Sequence, residues 1–100
     1  MVKLVALFKK PTDLTAFEEH YEKVHLPLIS KMPGMKRIEI SKVSGAPMSQ
    51  PQFYRMAEMY FDNQTALNSA IISQEGMAAA KDLVGFARDT VHLFFAEVKE

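Results

Sequence analysis

The amino-acid sequence predicts an α+β fold with the element order βαββαβ, in which four strands form an antiparallel sheet covered on one face by helices. Three observations lead to this prediction. Segments rich in β-branched and aromatic residues lie near both ends of the chain, and two more lie in its middle third. Segments with helical periodicity occupy the two intervals that separate the outer strand segments from the inner pair. This order is the split βαβ arrangement of ferredoxin-like folds.

The first strand and the first helix follow from the apolar pattern and from two prolines. Residues Val2–Lys9 form a strand that ends before Pro11, because proline lacks the N–H that a β-ladder requires. Thr12 or Asp13 then caps a helix. Pro27 removes a helical donor, so a kink or a stop is predicted beside it. The apolar stripe of the helix recurs at three- and four-residue spacing and comprises Leu14, Phe17, Tyr21, Val24 and Leu28.

A proline–glycine turn separates this helix from the second and third strands. Gly34 is predicted to stop the helix with a positive φ, which glycine adopts without steric cost. Strands are predicted at Met35–Val43 and Gln52–Phe61. The small, proline-flanked segment Ser44–Pro51 between them indicates a loop and not a domain boundary. We therefore expect one domain spanning residues 1–100.

Two helical segments lead from the third strand to the fourth. Asp62 or Asn63 is predicted to cap the first segment. Ser73 starts the second segment, which is predicted to run over Gln74–Ala87. The chain then closes with a strand at Val91–Val98, where nearly every position is apolar.

The first and fourth strands are apolar on both faces. In an isolated monomer, the sheet face without helices alternates toward polar residues. Monomers rarely expose large contiguous apolar patches, so we expect a second copy of the chain to cover this face. The sequence thus predicts a homodimer that packs sheet face to sheet face. The apolar residues are Val2, Leu4, Val5, Ala6, Leu7 and Phe8 in the first strand, and Val91, Leu93, Phe94, Phe95, Ala96 and Val98 in the fourth.

Composition and charge exclude several classes of partner. The chain is 48% apolar and 24% charged, as is typical of globular proteins. Twelve Lys and Arg residues balance twelve Asp and Glu residues, so no net charge attracts nucleic acid or an anionic membrane surface. The apolar run Leu4–Phe8 is too short for a signal-peptide core or a membrane span. We expect a cytoplasmic protein.

The lack of cysteine narrows the chemistry further. Zero cysteines remove disulfides, thiolate nucleophiles and Cys-ligated metal sites. The sequence contains no Walker loop, GxGxxG or GxSxG motif, so nucleotide cofactors and an α/β-hydrolase elbow have no support. We expect neither a cofactor nor a metal. The chemistry then falls to His, Tyr, carboxylate, Ser and Thr side chains.

The segment from residue 18 to residue 25 holds most of the candidate functional groups. Tyr21 and His25 are four residues apart, so their side chains meet on one side of an α-helix. His25 is a candidate general acid or base, with Tyr21 as donor to developing negative charge and Glu22 orienting the imidazole. In the alternative, structural interpretation, His25 bonds a carbonyl that Pro27 leaves free, most simply that of Lys23.

The other two histidines and the methionines favour structural roles. On an α-helix, His20 lies roughly 140° from His25, so the two histidines do not share a metal, and His20 is expected to be solvated. His92 is expected to be a packed or interfacial side chain in the fourth strand. Seven methionines are either gap-filling core residues or the lining of an adaptable apolar pocket.

Two motifs of the sequence are specific enough to compare with known families. The first is Phe17-x-x-x-Tyr21-x-x-x-His25-x-Pro27-Leu28, followed by Met32-Pro33-Gly34-Met35. The second is Ser73-x-Glu75-Gly76 with Ala78-Ala79-Ala80, Asp82 and Phe86. With them the chain resembles the EthD family of the dimeric α/β-barrel superfamily. The resemblance spans nearly the whole chain and implies a ferredoxin-like domain that forms a dimeric α/β barrel. It favours His25 and Tyr21 as catalytic residues, with Phe17, Leu28 and Met32 contacting the ligand.

The resemblance leaves two hypotheses for the function. The first is an enzyme of small-molecule catabolism that binds a small apolar or aromatic carbonyl compound and transfers a proton without a cofactor, as an isomerase, dehydratase or cyclase. The second is a non-catalytic binding or accessory protein, for example one that supports a monooxygenase system. Haem-degrading relatives typically use a tryptophan beside the haem, and this chain has none. That branch of the superfamily therefore fits worst.

Overall fold

The elements of a computed structural model, which describes residues 1–99, follow the predicted order. The strand and helix bounds lie close to those expected, although the second and third strands are shorter, because irregular backbone around Pro47 and Pro51 extends to Tyr54. The elements are β1 (Val2–Phe8), α1 (Leu14–His20), a π-helical turn (Tyr21–His25), α2 (Leu26–Ile29), β2 (Arg37–Lys42), β3 (Arg55–Phe61), α3 (Gln64–Ile72), α4 (Gln74–Ala87) and β4 (Val91–Glu97).

The sheet has the strand order β2-β3-β1-β4, with every neighbouring pair antiparallel. The predicted four-stranded antiparallel sheet is thereby confirmed. In the register, Ala6 of β1 lies between Ala57 of β3 and Leu93 of β4. Because alanine side chains are short, the neighbouring Ala6 and Ala57 leave space between the middle of the sheet and the helices.

The core lies between the helices and one face of the sheet. The side chains of Phe8, Ala57, Met59 and Phe61 on this face are almost fully buried. The opposite face combines polar and apolar residues. There the Lys3 ammonium pairs with the Glu58 carboxylate at 2.7 Å. The apolar pattern of β1 therefore predicts this second face only in part, because the same face of the sheet also carries an ion pair.

Local signals at the helix starts are confirmed. The carboxylate of Asp13 accepts a hydrogen bond from the N–H of Ala16 at 3.0 Å, and Asn63 accepts one from the N–H of Ala66 at 2.8 Å. Such caps satisfy N–H groups that lack a partner in the first helical turn. Gly34 has the predicted positive φ, 78°, in the turn before β2. Short-range rules succeed here because both partners lie within one turn of the chain.

The predicted disturbance beside Pro27 is a π-helical turn and not a stop. The N–H of Leu26 donates to the carbonyl of Tyr21, five residues earlier, and the helix continues to Ile29. Pro27 has no N–H, and its ring crowds the carbonyl four residues before it. Widening the preceding turn accommodates the proline while the chain stays helical. Such turns are frequent at functional sites.

The start of α4 lies against the end of α3. Ser73 accepts a hydrogen bond from the N–H of Gly76 at 3.0 Å, which turns the chain sharply between the two helices. A Cβ added at Gly76 would lie 2.0 Å from the carbonyl oxygen of Ala70 and 2.6 Å from that of Ile71. Gly76 therefore allows a close approach of backbone to backbone.

Two glycines of α4 give a matched test of this approach. Gly76→Ala is expected to lower the free energy of unfolding by about 1 to 3 kcal/mol, because the new methyl group meets rigid carbonyl oxygens. Gly85→Ala meets nothing within 4 Å. It is expected to raise the free energy of unfolding by up to about 1 kcal/mol, the propensity difference inside a helix. Urea unfolding of both variants measures this, and equal effects at the two positions would contradict it.

Candidate functional site

An apolar cavity of about 390 Å³ lies between the helices and the sheet. Small residues of β1 and α4 are part of its lining and leave the space between the two layers unfilled. Within residues 1–99, His25 is the one titratable side chain that lines it. The lining residues are Leu4, Ala6, His25, Ile29, Met32, Met59, Ile71, Gly76, Ala79, Ala80, Leu83, Leu93, Phe94 and Phe95.

The His25 imidazole is held by a carboxylate from another helix. Nδ1 of His25 lies 3.0 Å from Oδ2 of Asp82 on α4. The other carboxylate oxygen of Asp82, Oδ1, lies 2.8 Å from Nε2 of His20. One carboxylate thus bridges two imidazoles. The exposed fraction of the side chain falls from 35% for His20 to 16% for Asp82 and 5% for His25.

The π-helical turn explains why both histidines reach one carboxylate. In an α-helix, residues five apart point to different sides, which is why the sequence predicts His20 and His25 to be apart. A π-helical turn contains more residues, so residues five apart come close to one face. The expectation that His20 is simply solvated is therefore wrong.

The bond to Asp82 selects one form of His25. Because a carboxylate only accepts, Nδ1 of His25 carries the proton that is shared with Asp82. In the neutral ring, Nε2 is then an unprotonated nitrogen that can accept a proton. Burial lowers the pKa of His25 below its usual range, opposed in part by the hydrogen bond to Asp82. His25 is accordingly neutral at pH 7, which is the form a general base requires.

Aromatic rings fix the two imidazoles in place. The Phe86 ring centroid lies 4.5 Å from that of His20 and 5.1 Å from that of His25. Tyr21 stacks on His25 with ring centroids 6.0 Å apart. Phe86 is four residues after Asp82, so one face of α4 supplies both the carboxylate and the packing ring.

Tyr21 lies beside His25 but its hydroxyl is isolated. The side chain is fully buried, and the hydroxyl oxygen has no hydrogen-bond partner within residues 1–99. Burial raises the pKa of Tyr21 to about 12, opposed by the nearby guanidinium of Arg55. Tyr21 is therefore a neutral phenol at every physiological pH. Its ring lies beside that of His25, but Tyr21 is not among the described residues that line the cavity.

The structure separates the other predicted site residues. Met32 lines the cavity together with His25. Phe17 instead stacks on Tyr21 in the core, with ring centroids 5.5 Å apart. Leu28 packs partly buried against the core. Among the described residues, the cavity lining includes neither of these two nor Tyr21, because the π-helical turn rotates the later part of the helix relative to the earlier part.

Two partners that the sequence suggests for His25 are also corrected. Glu22 does not orient the imidazole; its carboxylate accepts a hydrogen bond from the buried guanidinium of Arg55. The carbonyl of Lys23 is not the partner of His25 either, since Nδ1 faces Asp82. Both expectations look for a partner of His25 close to it in the sequence, whereas its partner in the structure lies on α4.

Asp82 is the residue of the candidate site that sequence reasoning misses. It appears there only as one position of the second family motif, without a role. The separation from His25 is 57 residues, so no spacing rule connects them. The sequence contains one signal that could have indicated this role: an acidic residue four positions before Phe86, on a helix otherwise rich in alanine.

Metal and membrane sites are not found in the described part of the chain. No group of three or more His, Asp or Glu side chains within residues 1–99 has metal-binding geometry. Over the same residues, no helix combines the length and the apolar character of a membrane span.

Comparisons with known proteins place the sequence in a family. A model of the EthD domain matches residues 9–90. The chain is 32% identical over 97 residues to an uncharacterised 11.0 kDa protein from the thcB–thcC intergenic region of Rhodococcus erythropolis, and the match covers 97% of this chain and 94% of that protein. It is 40% identical to an ethyl tert-butyl ether D (EthD) family protein from Bacillus halodurans, whose crystal structure gives a TM-score of 0.95 over 99% of both chains.

A more distant structure supports the fold alone. A dimeric ferredoxin-like protein of unknown function from Jannaschia sp. is 13% identical, with a TM-score of 0.73 over 98% of this chain and 100% of that one. The similarity confirms the ferredoxin-like fold that the element order predicts.

The isolated hydroxyl of Tyr21 leads to a prediction with a matched control. Tyr21→Phe is expected to raise the free energy of unfolding by up to about 1 kcal/mol, because it removes a buried polar group without a partner. The hydroxyl of Tyr54 donates to Oε1 of Glu18 at 2.7 Å. Tyr54→Phe is therefore expected to lower the free energy of unfolding by about 1 kcal/mol. Urea titrations compare the two, and a clear loss of stability in Tyr21→Phe would show that its hydroxyl is satisfied.

Proposed function

The chain belongs to the EthD family, and from this premise we propose that it acts in small-molecule catabolism on a small apolar or aromatic carbonyl compound. The proposed activity is cofactor-free proton transfer, with His25 as the general base and acid. The observation that carries the proposal is the setting of His25, whose Nδ1 lies against the Asp82 carboxylate and which lines the apolar cavity.

The cavity favours an uncharged, largely hydrocarbon ligand. Apart from His25, its lining side chains are aliphatic, aromatic or thioether groups. An anionic ligand would add a second negative charge near Asp82, and burial of an uncompensated charge is costly. One polar atom on the ligand, such as a carbonyl oxygen, suffices to orient it, as is usual in small-molecule sites. Met32 contributes a flexible wall that adapts to the ligand.

The proposed proton transfer is balanced within the site. Nε2 of His25 removes a proton from the carbon next to the ligand's carbonyl group and becomes an imidazolium, while the electron pair of the broken C–H bond forms an enolate. Asp82 stabilises the imidazolium through Nδ1, as a carboxylate does when it orients a catalytic histidine. Return of the proton to a different atom of the ligand gives an isomer. No electrons leave the ligand, so the cycle requires no redox cofactor.

Tyr21 and Phe17 contribute to this proposal through packing. Tyr21 stacks on the imidazole, and Phe17 stacks on Tyr21, so the two rings fix the plane of His25. Leu28 anchors the same helix against the core. A donor role for the hydroxyl of Tyr21 toward the ligand would require it to reach the cavity.

A non-catalytic binding protein is the second candidate. The observation that favours it is that His25 is the one polar side chain on the lining, so the described residues supply no second acid or donor there. In that case the cavity would bind the same class of ligand without turnover.

A homodimer of single-domain protomers completes the proposal. Phe94 of β4 is 46% exposed, although it lies in register with the buried Val5. Large exposed aromatic groups on the edge strand are a typical interface signal. We place the interface on the sheet face that carries no helix, with the whole of residues 1–100 as one domain.

Proton exchange tests the proposed activity without knowledge of the natural substrate. The protein is expected to accelerate hydrogen–deuterium exchange next to the carbonyl group of small aryl ketones such as 1-indanone, followed by NMR in D₂O. His25→Ala is expected to lower this rate by roughly 10²- to 10⁴-fold, the usual contribution of a general acid or base. His92, whose ring packs on Phe53, supplies the control variant His92→Ala, which is expected to keep the rate. Ketone binding without accelerated exchange would favour the binding protein.

The dimer is tested by light scattering coupled to gel filtration. The expected mass is about 23 kDa, twice the 11.3 kDa of the chain. Phe94→Glu is expected to shift the mass toward that of the monomer, because it places a charge on the apolar interface. Val84 on α4 has a similar exposed fraction, 48%, away from the sheet. Val84→Glu should therefore leave the mass unchanged, and a monomeric wild-type protein would refute the interface.

A further inference from the structure

The row His20, Asp82 and His25 contains two groups that can be protonated and one carboxylate to compensate them. Both oxygens of Asp82 are occupied, one by each imidazole. When a proton is added to one ring, the negative charge of Asp82 is largely compensated. A proton on the second ring is then opposed by the first positive charge, which makes the two titrations interdependent.

The two imidazoles differ in how far they are removed from water. The His20 side chain is 35% exposed, whereas that of His25 is 5% exposed. Removal from water penalises a charged imidazole, so a positive charge costs less on the outer ring than on the inner one.

The surroundings of the two rings do not reverse this difference in the cost of a positive charge. The groups packed on His25 besides Asp82 are aromatic, namely Tyr21 and Phe86, and its cavity side is apolar. The clefts beside His20 carry charges of both signs that largely cancel: Lys10, Asp13, Glu19, Lys23, Arg88 and Asp89. Of these, Glu19 and Lys23 face each other at 3.6 Å. Asp82 is thus the charged group in direct contact with either ring.

We infer that His20 is a positioning residue that acts through Asp82 to keep His25 in its unprotonated, basic form as the pH falls. The role serves the proton transfer proposed above and rests on it, but the coupling itself exists without a ligand. His20 also fixes the carboxylate, since its hold on Oδ1 leaves Oδ2 directed at Nδ1 of His25. His20 does not line the cavity, and Asp82 lies between its imidazole and that of His25.

Two substitutions at position 20 separate the charge from the hydrogen bond. His20→Gln keeps an N–H donor for Asp82 but is neutral at every pH. His20→Arg keeps a donor and is always charged. In the neutral variant, Asp82 compensates His25 alone, so the pKa of His25 should be higher than in the charged variant by about one pH unit. The wild-type value should lie nearer that of the Arg variant.

The measurement is an NMR titration of the His25 ring signals in the unliganded, full-length protein. Lys23→Gln is the control, because it removes a positive charge from the same helix at a side chain that is 73% exposed. It should leave the pKa of His25 unchanged. Melting temperatures of all variants distinguish charge coupling from a purely structural effect. A purely structural effect would alter the melting temperature but leave the pKa of His25 equal in the Gln and Arg variants.

Equal pKa values of His25 in the Gln and Arg variants would overturn the inference, as would failure of His25 to titrate above pH 4 in both. Because no substrate is present, the titration is independent of the proposed activity. If the coupling is found but ketone exchange does not depend on His25, the proposed function fails and the coupling stands. If exchange depends on His25 but the two variants titrate alike, only the role of His20 fails.

Discussion

The sharing of one carboxylate between two imidazoles is the interaction on which the rest of the site depends. Asp82 connects α4 to the first helical region by two hydrogen bonds of 2.8 and 3.0 Å. This connection orients His25, sets its tautomer and fixes the wall of the cavity. It also requires α4 to lie close to the π-helical turn. The close approach at Gly76 and the cap at Ser73 fix the start of α4 against the end of α3.

Small side chains explain why an apolar cavity remains between the helices and the sheet of a 100-residue protein. Ala6 of the sheet and Ala79 and Ala80 of α4 line the space without filling it. Unfilled apolar volume lowers stability, because the lining atoms lose packing partners. A ligand that fills the space restores those contacts and stabilises the folded state by mass action. The same residues therefore weaken the empty core and create the binding volume.

The sequence predicts this fold well and the site only in part. Element order, helix caps at Asp13 and Asn63, and the positive φ of Gly34 all depend on residues close together in the chain. The site depends on a rotation and on a distant partner. A fixed angle of 100° per residue places Val24 in the apolar stripe, whereas the π-helical turn leaves it 41% exposed. Asp82 becomes the partner of His25 only through the packing of α4.

The need to satisfy a partly buried carboxylate explains why two histidines of the first helical region, His20 and His25, face Asp82. The Asp82 side chain is 16% exposed, so each of its oxygens requires a donor. With His25 alone, one oxygen would lack a protein donor and the carboxylate would be free to turn. His20 supplies the second donor, and the π-helical turn is what brings it within reach. The local distortion beside Pro27 thus allows a single aspartate to be buried, oriented and coupled to a neutral imidazole at the cavity wall.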